Sequence, residues 1–493
     1  MKHTILSIDQ GTTSTRAIIF NENGNIIKSS QKELNLLFPK DGWVEHNPKE
    51  IIQQTIQTAK SVISQTKDKI DTIGITNQRE TTLIWDKKTG LPVSNAIGWE
   101  DIRTSEYCTY LESKDFNSII KKSTGLNINP YFSATKIRWI LDSIPDGQIK
   151  AENGDLCFGT VDSWIIYNLT KKNLHVTDLT NASRTMLLNI YNLEWDKEIL
   201  QIFNIPMEIL PNILPSSYNF GFTDPKIFGY EIPITGIAGD QHSSMFGNAC
   251  FEKGTTKCTY GTGAFILTNE GNDPSKLKNT KLLNTIGFQL KQKTFYATEG
   301  SVFSTGSAVQ WIRDGIGLIK NPSDTNTISE YTKDNGGLYF VPAFNGLGSP
   351  HWKTDAKGII SGIKRTTNKY HIIRAALEST AFQVKDVVEA SITSSNSKLP
   401  IKVDGGQTKN SFLMQFQADI LDRQVKVAKV PETTALGVAF LAGLKIGIWN
   451  SIDEIKPIVR SENIYDPKMK TSERDSLYSQ WCEAIQKSSL TVK

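Results

Sequence analysis

Residues 5–27 read ILSIDQGTTSTRAIIFNENGNII, and this stretch decides the fold. Ile5, Leu6 and Ile8 alternate like a strand that ends at Asp9. A Gly/Thr turn follows, then the apolar run Ala17–Phe20. Asn23-Gly24 is a hairpin turn signal, after which Asn25-Ile26-Ile27 resumes the sheet. Working outward, residues 48–66 are predicted to form a helix, with Pro48 at its start and Ile51, Ile52, Ile56, Ala59 and Ile63 at helical spacing. Ile70–Thr76 is a further strand. A strand meander, a helix and another strand make an α/β pattern.

The same local pattern recurs half a chain later, where Thr259-Tyr260-Gly261-Thr262-Gly263 precedes Ala264-Phe265-Ile266-Leu267. Two related halves are predicted, with a boundary at 245–255 where the apolar stretch ITGIAGD has ended. Amphipathic helices are predicted over 371–390 and 411–421.

The 493 residues suit two or three domains and large cores that need no disulfide or metal staple. A net charge of +4, with no long basic run, gives no footprint for nucleic acid. The five cysteines form no CxxC pair, which fits a reducing cytoplasm. No apolar run is long enough to span a membrane, and the start is too briefly apolar for a signal peptide.

Neither GxxxxGK[ST] nor a helix-opening GxGxxG is present, so a nucleotide would be held by other means. DQGTTSTR (9–16) places one carboxylate, a glycine, four hydroxyls and an arginine in one turn. Backbone N–H groups there can cradle an anion, Arg16 can fork onto phosphate oxygens, and Asp9 can hold Mg²⁺. A threonine-rich hairpin loop is the plainer reading. IAGDQHSS (237–244) puts Asp240 at a strand end, as a general base, a metal ligand or a helix N-cap. VDGGQTKN (403–410) is either an ordinary β–α turn or a place where a flat ligand approaches Gly405 and Gly406, with Asn410 capping a helix or facing a base. TNQRETT (76–82) offers Arg79 and Glu80, an adjacent pair that on a strand faces opposite sides, at a surface is a solvated ion pair, and in a loop can address one polyol. Trp99 and Phe265 are either core residues or apolar walls for a small hydroxylated chain.

Taken together, these segments resemble the FGGY carbohydrate kinases along essentially the whole chain. The likeness runs through IDQGTTSTRA, GWVEHNP, GITNQRETT, NPYFSATKIRWILD, VTDLTNASRTML, GIAGDQHSSMFG, TYGTGAF, VPAFNGLGSPHW, VDGG and TALGVAFLAG. DQGTT with NQRETT resembles the glycerol-phosphorylating members more than the pentulose kinases. The resemblance implies an α/β fold of two actin/hexokinase-like (ribonuclease H-like) domains with the active site in the cleft between them. Residues 1–249 would bind polyol and phosphate, and 250–493 the nucleotide. It implies transfer of the ATP γ-phosphoryl to the 3-hydroxyl of glycerol, with ATP and Mg²⁺, in a cytoplasmic homo-oligomer (dimer or tetramer).

By the same resemblance Asp240 is the catalytic base. The polyol contacts fall on Arg79, Glu80, Trp99, Tyr131, Asp240, Gln241 and Phe265. Nucleotide contacts fall on Thr12, Thr13, Ser14, Arg16, Thr262, Gly306, Gln310, Gly406 and Asn410, and Asp9 matches the metal-associated acid. The chain departs from the family pattern at Trp99-Glu100-Asp101-Ile102-Arg103, where WQxRR is usual. It also departs at His242, beside the catalytic Asp, and at Gln407, where VDGGA is usual.

Overall fold

Strand Thr4–Gln10 forms the middle of the first of two main sheets. It pairs antiparallel with Ser14–Asn21, which pairs antiparallel with Ile26–Glu33. On its other side it runs parallel to Thr72–Asn77, and that strand runs parallel to Ile234–Gly239. The central strands are apolar along their length because both faces are covered: Ile5, Leu6, Ile8, Ile73, Ile75 and Ile237 are fully buried. The outer strand Ile26–Glu33 is mostly exposed and carries Lys28, Lys32 and Glu33, charges that discourage edge-to-edge pairing. The computed structural model describes residues 3–277, 281–353, 355–391 and 397–489.

The second sheet repeats the first. Thr256–Tyr260 pairs antiparallel with Ala264–Gly271, which pairs antiparallel with Lys293–Val302. On the other side Thr256–Tyr260 runs parallel to Ile401–Asp404, and that strand runs parallel to Val425–Ala428. Leu283–Leu290 and Ser461–Tyr465 add one strand at each edge. Two meanders, each extended by two parallel strands, are the duplication expected from the recurring Gly-Thr turn.

The predicted helices form close to where the pattern puts them. The first spans Pro48–Ile63, with the Asn47 side chain accepting from Lys49 N at 3.0 Å. Such a cap is worth about 1 kcal/mol. It stops short of residue 66: Ser64 is its C-cap, and Gln65 N and Thr66 N donate three residues back, to Val62 O and Ile63 O, both at 3.2 Å. The others span Lys369–Ala390, capped by Asn368, and Ser411–Leu421.

Helix Asp240–Gly247 continues directly from the last strand of the first sheet. Helix Thr433–Ile446, from near the other end of the chain, packs against it and across the first sheet. Ser7 Oγ donates to Ala435 O at 2.7 Å, and Thr235 Oγ1 to Ala442 O at 3.0 Å. The approach leaves no room for a side chain at Gly437, where a Cβ would lie 1.8 Å from Ser243 O. This contact brings Glu432 and Thr433 to the ends of the first-sheet strands.

Candidate active site

Arg79 and Glu80 lie just past the strand Thr72–Asn77, and both are buried. Glu80 has φ 62°, a left-handed conformation rare outside glycine, which turns the adjacent pair out of strand alternation. Arg79 Nε stands 3.1 Å from Asp240 Oδ1. Its two Nη atoms fork onto Glu299, with Nη2 3.1 Å from Oε1. Arg184 Nε donates to Glu80 Oε1 at 2.6 Å, and its Nη2 to Glu299 Oε1 at 3.1 Å. Gly239 permits this arrangement, since a Cβ there would sit 2.6 Å from Arg79 Cγ.

Burial raises both buried carboxylates, but with different outcomes. At Glu299 the arginines Arg184 and Arg79 overcome burial and hold its pKa down at about 2. At Glu80 burial prevails over Arg79 and Arg184, and its pKa is raised. Removing one member of such a buried network leaves an uncompensated charge, a loss of about 3–5 kcal/mol.

Asp240 opens its helix, and its Oδ1 also accepts from Gln241 N at 2.7 Å. Its side chain keeps 31% exposure where Arg79 keeps 2%, so this carboxylate is the accessible end of the network. His242, beside it in sequence, turns inward. Burial and the nearby Arg79 push its pKa well down, and its Nε2 lies 3.4 Å from Thr285 Oγ1. It therefore adds a neutral ring rather than a charge next to Asp240.

Three aromatic rings pack together, and one of them, Tyr131, borders this network, with the Arg184 guanidinium 5.6 Å from its ring centroid. Trp99 packs edge-on against Tyr131 at 5.7 Å and against Phe265 at 6.5 Å between centroids. Phe265 comes from the second sheet, so the apolar wall is built from both halves. Trp99 Nε1 donates to Thr12 Oγ1 at 3.0 Å, linking the wall to the Gly11–Ser14 turn. Burial raises the Tyr131 phenol pKa, keeping it protonated as a donor.

Asp9 faces Arg16 across the first strand pair. Burial raises its pKa to about 7, with Arg16 opposing and the charges of Glu432 and Asp240 adding to the rise. Arg16 Nη1 pairs with Glu432 and its Nε donates to Gln31 at 2.9 Å. Among the described residues no partner takes its Nη2. Thr12 and Ser14 are half-buried and Thr13 is exposed. No group of three or more His, Cys, Asp or Glu among the described residues is arranged to hold a metal. One desolvated carboxylate, with a second within electrostatic reach, fits Mg²⁺, which keeps several waters and takes its other ligands from phosphates.

On the second sheet the turns meet backbone to backbone. Thr262 O accepts from Thr305 N at 3.0 Å and Ser307 N at 3.1 Å, and Gly306 N donates to Gly261 O at 3.2 Å. Gly405 has φ +96°, and a Cβ there would lie 2.3 Å from Tyr260 O. Gly406 is open, with nothing within 4 Å of a Cβ position. Gln407 ties the turns together, its Nε2 donating to Gly261 O at 2.9 Å and Thr305 Oγ1 at 3.0 Å. Gln310 is exposed at the end of helix Gly306–Gln310. Asn410 caps helix Ser411–Leu421, its Oδ1 accepting from Leu413 N at 2.9 Å, while its Nδ2 donates to Thr325 Oγ1 at 2.9 Å.

The two sequence models that describe the N-terminal and C-terminal domains of the FGGY family of carbohydrate kinases match residues 4–247 and 256–446. The chain belongs to the FGGY family of carbohydrate kinases. Within the family it is 50% identical to glycerol kinase 2 of Thermotoga maritima, over 98% of each chain. It is 51% identical to a glycerol kinase of Pseudothermotoga lettingae, again over 98% of each. The crystal structure of Plasmodium falciparum glycerol kinase with ADP superimposes with a TM-score of 0.94 at 39% identity, covering 100% of this chain and 99% of that one. The structure of a gluconate kinase from Lactobacillus acidophilus shares the fold, with a TM-score of 0.90 at 24% identity.

Four residues of this FGGY site are not picked out by motif reading: Arg184, Lys257, Glu299 and Glu432. Glu299 is the one acid in the strand Lys293–Val302, which is buried from Thr294 onward, and a buried acid must find a cation. Its partners lie 220 and 115 positions away, so the pairing itself has no local trace.

Proposed function

We propose that the protein transfers the γ-phosphoryl group of ATP to the 3-hydroxyl of glycerol, giving sn-glycerol 3-phosphate and ADP, as a step of glycerol catabolism. The observation that carries this reading is the accessible Asp240 carboxylate held by Arg79, in a buried network that reaches Tyr131, which itself packs against Trp99. Full-length likeness to glycerol kinases supports it.

In this reading Asp240 takes the hydroxyl proton as the oxygen attacks phosphorus. Arg79 keeps the carboxylate oriented, and the remaining N–H groups of Arg79, the Glu80 carboxylate, Gln241 and the Tyr131 phenol hydrogen-bond the polyol. Trp99 and Phe265 cover its carbons and keep out the water that would otherwise hydrolyse ATP. Thr12, Thr13, Ser14 and the free Nη2 of Arg16 face the phosphates. Asp9 would hold the Mg²⁺ that accompanies ATP and neutralises phosphate charge. Thr262, Gly306, Gln310, Gly406 and Asn410 surround the rest of the nucleotide, with Asn410 limited by its two internal hydrogen bonds. Residues 1–249 form the polyol and phosphate domain and 250–493 the nucleotide domain. The five free cysteines accord with a cytoplasmic location, and a homo-oligomer is the proposed assembly.

An assay coupling ADP release to NADH oxidation, with glycerol and with xylulose, tests the proposal. Turnover with glycerol far above xylulose is expected. Equal use of xylulose would make the chain a kinase for another polyol or pentulose. ATP binding without turnover on any polyol would make it a nucleotide-gated protein of the same fold.

A further inference from the structure

Lys257 is fully buried on the strand Thr256–Tyr260, and no step above uses it. Its Nζ donates to Gln241 Oε1 and, at 2.9 Å, to Thr259 Oγ1. Burial lowers its pKa, while Asp404, Asp240 and Glu299 favour the charged form. Asp404 is itself held by Ser244 Oγ at 2.8 Å, Asn248 Nδ2 at 2.7 Å and Thr433 Oγ1.

We propose that Lys257 is a positioning residue of the polyol site: it holds the Gln241 amide with its oxygen inward, so that Gln241 presents only N–H donors to the substrate. The argument is one of hydrogen-bond inventory. An ammonium has three donors and no acceptor, whereas a glutamine amide has one end of each kind. Contact with Lys257 therefore fixes which end points in. Gln241 is 8% exposed, and among the described residues nothing in the protein takes up its Nε2 hydrogens. Asp240, the preceding residue, offers the complementary acceptor. Acceptor and donor side by side suit two neighbouring hydroxyls, one giving its proton to Asp240 and the other receiving a hydrogen bond from Gln241. The inference rests on the glycerol reading and deepens it: Gln241 is the group that requires a 2-hydroxyl.

The test is a double-mutant cycle with Lys257→Met, Gln241→Leu and the double variant, read as kcat/KM for glycerol and for 1,3-propanediol, which lacks the 2-hydroxyl. Each single change is expected to cost about tenfold or more with glycerol and much less with the diol, at an unchanged KM for ATP. The double variant should be no worse than the poorer single one. Additive losses, or equal losses on both substrates, would overturn the proposal and leave Lys257 a strand-holding residue. Should Lys257→Met fail to fold, Gln241→Leu alone decides. Its side chain neither donates nor accepts, so preference for glycerol over the diol must fall, and a retained preference overturns the idea. An unaltered protein inert toward glycerol would instead sink the functional reading, and this inference with it.

Discussion

The same strand-pair positions carry opposite chemistry in the two sheets. In the first, Asp9 faces Arg16 across the hairpin and Thr76 on the parallel side. In the second, the matching residue Thr259 faces Phe265 and Asp404. The first hairpin thus brings a buried acid and an arginine to the site, and the second brings one ring of the aromatic wall. Around the first turn the contacts are between charged side chains: Arg16 with Glu432, and Arg79 with Asp240 and Glu299. Around the second they run mostly between backbone groups of Gly261, Thr262, Thr305 and Gly306. A duplicated topology thus supplies two equivalent sheet ends with different side chains, and in the proposed function one handles protons and hydroxyls while the other accommodates a flat, bulky ligand.

That contrast is easiest to break at Asp240. Asp240→Asn keeps the shape and removes the base, so kcat should fall about 10²–10⁴-fold with KM for ATP unchanged. Near-normal turnover in a steady-state assay would end the assignment.

Arg79→Lys is the next largest. A lysine cannot reach Asp240 and fork onto Glu299 at once, and the loss in kcat/KM for glycerol should be on the order of 10²-fold. On the nucleotide side a comparable change of side chain, Thr262→Ala, should cost only about twofold to threefold in KM for ATP, less than one ordinary hydrogen bond. Equal effects in parallel kinetics would erase the distinction between the halves.

Where the second half does depend on sequence is at glycine. Gly405→Ala places a Cβ 2.3 Å from Tyr260 O at φ +96°, so the turn must shift. About 1–3 kcal/mol of stability should be lost in denaturant titration. KM for ATP should rise while glycerol binding, measured by calorimetry, holds steady.

The effect that is smallest at neutral pH, and appears only on acidification, concerns buried histidines. His46 and His175, in the first half, have pKa values lowered to about 4 by burial, and both ring nitrogens of His46 lack a partner among the described residues. Each is neutral in the fold, while in the unfolded chain it protonates near its ordinary value of 6.5. The unfolded state therefore binds more protons between pH 6.5 and 4, and stability falls as pH drops through that window. Asp9 and Asp162, with pKa values raised to about 7 and about 6, act in the opposite sense, so the measurement must be a difference. His46→Gln should gain on the parent by about 1.4 kcal/mol per pH unit below 6.5, up to about 3 kcal/mol near pH 4. A pH-independent difference would mean that His46 titrates normally in the fold.

Much of this site is readable along the chain because its loops carry their chemistry locally. Asp9, Thr12, Thr13, Ser14 and Arg16 fall within eight consecutive residues, and Asp240 with Gln241 follows a short apolar run that forms a buried strand. Strand and helix periods are local as well, so the meander, the first helix, the helix Ser411–Leu421 and the recurrence of the Gly-Thr turn follow from spacing alone. Asn410 shows where that reading stops. Its place before a helix announces a cap, but that its amide is also taken by Thr325, 85 positions away, is a tertiary fact.

What the amino-acid order determines by itself is therefore which residues stand at each strand end and which faces must be buried, since both follow from backbone periodicity and solvent exclusion. Only the folded chain decides their partners. Glu299 reaches Arg79, Glu432 reaches Arg16, and Lys257 turns the Gln241 amide because two sheets and the crossing helix Thr433–Ile446 bring distant segments together. A buried charge requires some counter-charge, and the sequence states that requirement. Which one it meets depends on packing across hundreds of residues, for which no local pattern exists.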